Sequence, residues 1–508
     1  MQMSIHFILL LCYNYNVINI DDTICAIATA LSPAGIGIIR ISGNEAVKIV
    51  SNIFVNSKKE KIALKESHKI HYGYIYDGKN DNLIDEVLVL TMFKPKSYTA
   101  EDVIEIQCHG GLLVLKNILN LLVKNGARIA EPGEFTKRAF LNGRIDLSKA
   151  ESVTDIIMSK NNYALKASFN QLKGNLSNKL NTFREEILES TAFIEACLDD
   201  PEHMSVDGFK PKLKSQCENI IAELDTIIKN YDNGKLIKEG INTVILGKPN
   251  VGKSSLLNTL LNEDRAIVTD IAGTTRDTIK ESINLNGITL NIIDTAGIRN
   301  EDNIDTVEKI GIDRAKSEAE NADLIILVLD SSRPLDKNDE ELISLCKTLN
   351  KKTIILNNKS DLCSGARETR AYDTHAVGAN ACKALVGANV CGAHVGADTI
   401  RPNEPLITFS TKTKEGLQEL TTTIEKMFIN KDLDFNNEIF ISNERQLQSI
   451  KNAKLSLQNV LSSIGKDVSE DFLTIDLTDA YTHLSQVLGI EVTDDLINEI
   501  FSKFCMGK

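Results

Sequence analysis

Gly247-Lys-Pro-Asn-Val-Gly-Lys-Ser-Ser255 has the spacing of a loop that wraps phosphate, G-x-x-x-x-G-K-[ST]. An apolar run, Thr243-Val-Ile-Leu246, precedes it and Leu256-Leu-Asn-Thr-Leu260 follows. That order predicts strand, glycine loop, helix, the context this pattern requires. Glycine at 247 and 252 lets successive N–H groups turn toward phosphate oxygens. The helix beginning near Lys253 adds the positive end of its dipole. Asn250, Val251, Gly252, Lys253, Ser254 and Ser255 are the expected contacts. Lys253 is suited to the β- and γ-phosphates, and the Ser254 hydroxyl to Mg²⁺.

Three further motifs follow in order. Asp294-Thr295-Ala296-Gly297 ends a second apolar run, where a carboxylate can hold Mg²⁺ through water and Gly297 can offer its N–H to a γ-phosphate. Asn286-Gly287, just upstream, is a two-residue hairpin signal. Asn358-Lys359-Ser360-Asp361 follows Thr353-Ile-Ile-Leu356. Asp361 can accept two hydrogen bonds from the N1–H and 2-amino group of guanine. Adenine lacks that donor pair and would strand the carboxylate. Asn358 is suited to the Hoogsteen edge of the base. Ser410-Thr411-Lys412, after Leu406-Ile-Thr-Phe409, supplies the last expected base contact. Together these define a GTP-binding domain.

The elements that must position these residues come from a chain of 508 residues, a length that suggests about three domains. Hydrophobic content of 42% and charged content of 25% are those of a globular protein. A net charge of −13 gives no bulk support for nucleic-acid binding, so any basic patch must be local. Ten cysteines without a C-x-x-C pair imply reduced thiols and a cytoplasmic protein.

Residues 22–142 alternate strand and helix patterns. Gly35–Ser42, Glu86–Met92 and Val103–Gln107 are expected strands and Leu112–Val123 a helix, giving an α+β domain. From Leu147 to about Lys238 the pattern is helical. Leu165, Phe169, Leu172, Leu176, Leu180, Phe183 and Ile187 recur at three- and four-residue steps, with Gly174 as a modest cost within one helix. Three more helical patterns, Glu444–Leu461, Asp471–Leu488 and Asp494–Phe501, lie beyond Asp434. The expectation is a multidomain α/β and α protein. It has an α+β domain over 22–142, a helical bundle split between 143–238 and 434–508, and an inserted Ras-like P-loop GTPase domain over 239–433.

Two segments stand apart. Phe7–Cys12 is apolar but too short to span a bilayer, and lacks the basic flank and cleavage site of a signal peptide. Residues 1–21 therefore read as a disordered or mis-started extension, with a covering element and a membrane role as alternatives. Between 363 and 401, Val377-Gly-Ala-Asn380, Val386-Gly-Ala-Asn389 and Val395-Gly-Ala-Asp398 recur every nine residues. A repetitive inserted loop is favoured there over a β-solenoid rung. Cys382, Cys391, His375 and His394 match no zinc spacing.

The motifs as a set resemble the MnmE/TrmE family of bacterial tRNA-modification GTPases. The resemblance runs from about Asp22 to Lys508 outside the insert. It includes Thr269-Asp270-Ile271-Ala272-Gly273-Thr274-Thr275-Arg-Asp277 and the tail Phe504-Cys-Met-Gly-Lys508, its most discriminating motif. Met506 stands where the family usually has Ile, a mild change.

The resemblance implies an enzyme that works with an FAD-dependent partner, MnmG, in a heterotetramer, FAD entering only through that partner. The pair modifies C5 of the wobble uridine of certain tRNAs. It installs an aminomethyl or carboxymethylaminomethyl group with one carbon from a tetrahydrofolate, in its 5,10-methylene or 5-formyl form. The folate contacts would fall on Arg40, Glu105, Arg144 and Lys508, Arg144 replacing a frequent Lys. An acid and three bases suit a pterin amide edge and a glutamate tail. A homodimer without a membrane anchor is also implied.

Ile298, after Gly297, cannot orient water as the Gln of many GTPases does. The resemblance gives that role to Glu308, against the plainer reading of a solvated acid at a helix start. No arginine finger is evident, and the family uses K⁺, which Asn250, Thr269, Ile271 and Thr274 would hold, with Thr275 completing Mg²⁺. Cys505 has two readings, a thiolate attacking the uridine ring or a small apolar residue beside Phe504. A ribosome-assembly GTPase is the main alternative, although it would normally carry a basic RNA-binding module. A membrane-remodelling GTPase would need an amphipathic or spanning segment.

Overall fold

The computed structural model of the protein describes residues 22–78, 82–199, 208–263, 281–293, 319–362, 404–428, 438–466, 470–490, 492–504 and 507. The chain forms two compact units. One is Met1–Thr154, Gln171–Ile221 and Ser449–Lys508, and the other is Asp155–Asn170 and Ala222–Gln448.

In the first unit β1 (Ile24–Ile27), β2 (Ala34–Ser42), β3 (Phe54–Val55), β4 (Lys69–Asp77), β5 (Asn82–Met92), β6 (Val103–Gly110) and β7 (Arg128–Ile129) form one sheet in the order β3-β4-β5-β6-β2-β1-β7. Helices α1 (Ala46–Ile53), α2 (Leu112–Lys124) and α3 (Glu134–Leu141) complete this part. Alternate residues Ile39, Ile41, Val87, Val89, Ile104 and Ile106 turn to one face. They bury against Ile49 and Val50 of α1 and Leu115 and Ile118 of α2. That is the period of two expected of a sheet covered on one side. The antiparallel register of β2 with β6 sets Arg40 opposite Glu105, while Ile39 and Ile41 pair with Ile106 and Ile104 in the core. Strand pairing therefore fixes the first contact of the candidate folate site.

Helices α4 (Leu147–Met158), α5 (Asn162–Lys173), α6 (Asn175–Asp199), α7 (Lys210–Lys229) and α8 (Tyr231–Glu239) follow. The single helix expected through Gly174 is in fact two. Gly174 has φ +95°, outside helical geometry, and α5 ends before it while α6 starts after it. The turn redirects the chain, so one spacing no longer faces one core. Leu176, Leu180, Phe183 and Ile187 are buried, whereas Leu165 and Phe169 are exposed.

The second unit holds β8 (Ile241–Leu246), α9 (Lys253–Glu263), β9 (Glu281–Leu285), β10 (Ile288–Ile292), β11 (Leu324–Asp330), α10 (Lys337–Leu349), β12 (Lys352–Asn358), β13 (Leu406–Thr408) and α11 (Leu417–Phe428). Its sheet runs β13-β12-β11-β8-β10-β9. All pairs are parallel except β9 with β10. The turn between those two is Asn286-Gly287, both with positive φ, as the hairpin signal predicts. Ile245, Ile326, Val328 and Ile354 bury one face against Leu256 and Leu260 of α9 and Ile424 of α11. Val244, Leu246, Ile325, Leu327 and Ile355 bury the other against Ile343 and Cys346 of α10. Covering both faces explains the unbroken apolar strand sequences.

Beyond it lie α12 (Glu444–Gly465), α13 (Glu470–Leu488) and α14 (Asp494–Ser502). Within the first unit α6 finds its partner in α13. Arg184 on α6 donates from Nε to Ser485 Oγ (2.9 Å) and from Nη2 to Tyr481 Oη (2.8 Å) on α13. Among the described residues no helix is long and apolar enough to cross a membrane.

Candidate functional site

The loop between β8 and α9 sits at the carboxyl ends of the central parallel strands, where open α/β sheets hold ligands. Its glycines are required by position. Gly252 has φ +104°, and a Cβ there would lie 2.2 Å from Asn358 Nδ2. Asn250 also takes a positive φ, 63°. Lys253 Nζ donates to the carbonyls of Gly247 (2.7 Å) and Lys248 (2.9 Å), so its ammonium lies inside the curl of the loop. Ser254 and Asn250, adjacent to and within the loop in sequence, carry oxygen donors of the kind that suits hard cations such as Mg²⁺.

Asn358 is 1% exposed and uses both ends of its carboxamide. Nδ2 donates to the Val251 carbonyl (2.8 Å), and Oδ1 accepts from Thr411 N (3.2 Å). One side chain thus joins the phosphate loop to the segment that carries Ser410, Thr411 and Lys412. The second N–H of Nδ2 is the one suited to a base. Ser410 Oγ donates to Asp361 Oδ1 (2.7 Å) and orients that carboxylate, while Ser360 N bonds the Phe409 carbonyl (3.1 Å). Lys359 bonds Asp330 at the end of β11 (2.7 Å). Burial alone would push the Asp330 carboxyl up. The bonds from Lys359 and Ser332 outweigh it and hold the group below its ordinary range.

One contact of this loop is not evident in the sequence. Lys248 ion-pairs with Asp336, the N-cap of α10, and lies 3.7 Å from Asp339. Asp336 and Asp339 form a reciprocal capping box there, so the loop is tied to a capped helix end. Lys248 and Asp336 are 88 residues apart, and no local pattern links them.

In the first unit three of the four expected folate contacts converge. Arg40 is paired with Glu105 (2.8 Å) with their side chains 13% and 15% exposed, and Arg40 Nη1 donates to the Gly507 carbonyl (3.1 Å). Arg144 Nη1 donates to the Tyr98 carbonyl (2.7 Å). Both guanidinium groups lie over the Tyr98 ring, 5.2 Å for Arg40 and 5.1 Å for Arg144. Gly507 is required by its surroundings, with φ +81° and a position for Cβ only 2.5 Å from the Ile27 carbonyl. The expected contact Lys508 follows it.

Under this site lies a buried charge network. Arg138 and Glu134, 2% and 1% exposed, pair with each other and with Asp22 and Arg128. Glu101 completes it from the loop after β5. Burial would raise the Asp22 and Glu134 carboxyls, but the arginine bonds win and hold both low. Neither Tyr98 nor this network is evident in the sequence: Glu134 and Arg138 stand one helical turn apart, but Asp22 and Glu101 reach them from distant segments.

Several expected residues lie outside the described residues. These are Thr269 to Thr275, Asp294 to Gly297, Glu308, Cys505 and Lys508, together with residues 1–21 and the repetitive stretch 363–401.

A doubly wound sheet with a glycine loop after its first strand and an Asn-Lys-Ser-Asp segment after its fifth defines a P-loop nucleotide-binding protein. Residues 23–144 match the family profile described as "GTP-binding protein TrmE N-terminus", and residues 147–505 that described as "MnmE helical domain". Three curated relatives bear the name tRNA modification GTPase MnmE. That of Lachnoclostridium phytofermentans is 48% identical over 96% of this chain and 99% of its own. Those of Acetivibrio thermocellus and Enterococcus faecalis are 44% and 42% identical over 96% of this chain, and 99% and 98% of theirs. The chain belongs to the MnmE (TrmE) family of tRNA modification GTPases, the family its motifs resemble.

Proposed function

We propose that this protein is a cytoplasmic enzyme that binds and hydrolyses GTP. With an MnmG-type FAD protein it modifies C5 of the wobble uridine in a set of tRNAs, drawing a one-carbon unit from a tetrahydrofolate. Family membership supports the GTPase and tRNA parts. The folate part is supported by the convergence of the Arg40–Glu105 pair and Arg144, whose two guanidinium groups share the Tyr98 ring.

In the GTP site the loop 250–255 holds the phosphates, with Lys253 spreading its charge over the terminal groups. Asp361 reads guanine through its carboxylate, oriented by Ser410, and Asn358 keeps the base segment and phosphate loop together. Ser254 and Thr275 are assigned to Mg²⁺, and Asn250, Thr269, Ile271 and Thr274 to K⁺, which when bound offsets charge developing on the phosphates. Asp294 to Gly297 follow the γ-phosphate, and Glu308 orients water. Cys505, next to Phe504 in sequence, keeps its two readings, a nucleophile for the uridine ring or a small apolar neighbour. A homodimer brings two GTPase domains together around the K⁺ sites.

Mass spectrometry of wobble nucleosides from cells lacking the gene tests the proposal. Loss of the 5-substituted uridines is expected, and unchanged nucleosides would overturn it. Hydrolysis is expected to run faster in KCl than in NaCl at equal ionic strength. Equal rates would remove K⁺ from the account.

A further inference from the structure

We propose that Tyr98 is a positioning residue for both arginines of the first-unit site, holding Arg144 outward for an anionic ligand group and Arg40 inward on the tail. The proposal rests on the reading of that site as a folate site.

The two arginines are not equivalent. Arg40 is half-buried, its charge is met by Glu105, and one of its N–H groups is given to Gly507. Its ring neighbours are Tyr98 and Phe135, at 5.2 and 5.6 Å. Arg144 is exposed, and its Nη1 is fixed on the Tyr98 carbonyl. A guanidinium carries five N–H donors, so the Arg144 fork keeps donors for a carboxylate. Arg40 therefore holds the tail, and Arg144 meets the anion.

Tyr98 is built to stay still. Its hydroxyl pairs with the Thr136 hydroxyl (2.8 Å), a residue of α3 that is fully buried. Its ring packs against the buried cluster of Ile24, Ala26, Ala130 and Phe135. The loop around it is bonded on both sides. Ser97 Oγ donates to the Glu101 carbonyl (2.5 Å), and Thr99 shares a hydrogen bond with Ser42 (2.7 Å). Asn142 Nδ2 donates to the Thr99 carbonyl (2.7 Å). A ring fixed at both its loop and its hydroxyl sets the plane of any guanidinium resting on it.

The test compares Tyr98→Leu and Tyr98→Phe in the full chain. Affinity for 5-formyltetrahydrofolate is measured by calorimetry. Arginine-selective labelling reports the ring-current shift of the Arg144 Nε–H with no folate present. Tyr98→Leu removes two ring contacts and is expected to weaken folate binding roughly tenfold or more. It should also abolish the ring-current shift and leave GTP binding unchanged. Tyr98→Phe keeps the ring and should restore affinity to within about threefold, since both guanidinium contacts are to the ring and the bond given up to Thr136 is a neutral one. Should Tyr98→Leu fail to fold, Thr136→Val loosens the ring instead and is expected to lower affinity and reduce the shift. Wild-type affinity in Tyr98→Leu, or no ring-current shift in the wild type, would overturn the role of Tyr98. A wild type that binds no reduced folate would overturn the folate reading instead, and the ring-current comparison would still decide whether Tyr98 orients Arg144.

Discussion

Replacing Gly252 by alanine tests the geometry of the phosphate loop directly. Two costs can be worked out. The backbone at φ +104° strains an L-residue by about 1–2 kcal/mol. The new Cβ would lie 2.2 Å from Asn358 Nδ2, and Asn358 cannot swing aside freely because it bonds the Val251 carbonyl. Displacing it leaves that carbonyl without a partner, a loss of about 1–3 kcal/mol. The sum, about 2–5 kcal/mol, corresponds to a fall in affinity of roughly 30-fold to several thousandfold. The unliganded loop can relax and the nucleotide-bound loop cannot, so the cost is expected in Kd. Titration of the full-length protein with a fluorescent guanine nucleotide measures it. Gly252→Ala combined with Asn358→Ala adds a sharper criterion. Both single changes lose the same Asn358 bond, so their effects should overlap by about 1–3 kcal/mol. A Kd within threefold of wild type for Gly252→Ala, or strict additivity in the pair, would refute the reasoning.

Glu134→Ala leaves Arg138 buried with fewer partners and should lower the stability of the first unit by about 3–5 kcal/mol, read as a shift of its urea midpoint. Acid should act on the same network. Asp22 and Glu134 are held below their ordinary values of 3.8 and 4.5, so their contribution is complete above those values and is lost as pH falls through the lower folded values. Removing Arg138 lets both carboxyls rise toward their ordinary values, so less stability is lost to acid. Acid unfolding followed by circular dichroism should therefore begin at a lower pH in Arg138→Met than in wild type, once both are compared at matched neutral-pH stability. Asp336→Asn weakens the Lys248 tether and should raise the nucleotide off-rate by a few fold in stopped-flow displacement. Cys505→Ser decides between the two readings of that thiol, loss of tRNA modification with GTP hydrolysis intact selecting the nucleophile.

The nucleotide loop was legible because its chemistry is local. Glycines, lysine and serine at fixed steps, after a β-branched run, are enough to specify strand, turn and helix. The Asn286-Gly287 hairpin was legible for the same reason. The expected strands over 35–42, 86–92 and 103–107 and the helices over 112–123, 444–461, 471–488 and 494–501 fall on β2, β5, β6, α2, α12, α13 and α14. Gly174 shows where period alone misleads. A three-and-four spacing continues across it, but the backbone there is left-handed and the two halves face different surroundings. The Tyr98–Thr136 bond spans 38 residues, and although Glu134 and Arg138 are one helical turn apart, Asp22 and Glu101 join them from far along the chain, where no local spacing announces them. Arg40 and Glu105 carry no local signal either; they were found through the family resemblance, and the β2–β6 register supplies the physical reason they meet.

The bond from Arg40 to Gly507 crosses 467 residues of chain. On a ribosome adding about 5–20 residues per second, the arginine would wait roughly 25 to 90 s for its carbonyl partner. Everything between, including the whole nucleotide-binding unit, must be synthesised first. A chain released early could fold its leading sheet and pair Arg40 with Glu105, yet the tail would be missing. A chain released before Gly507 would lack the carbonyl to which Arg40 Nη1 donates, and the Arg40–Glu105 pair would stand one hydrogen bond short.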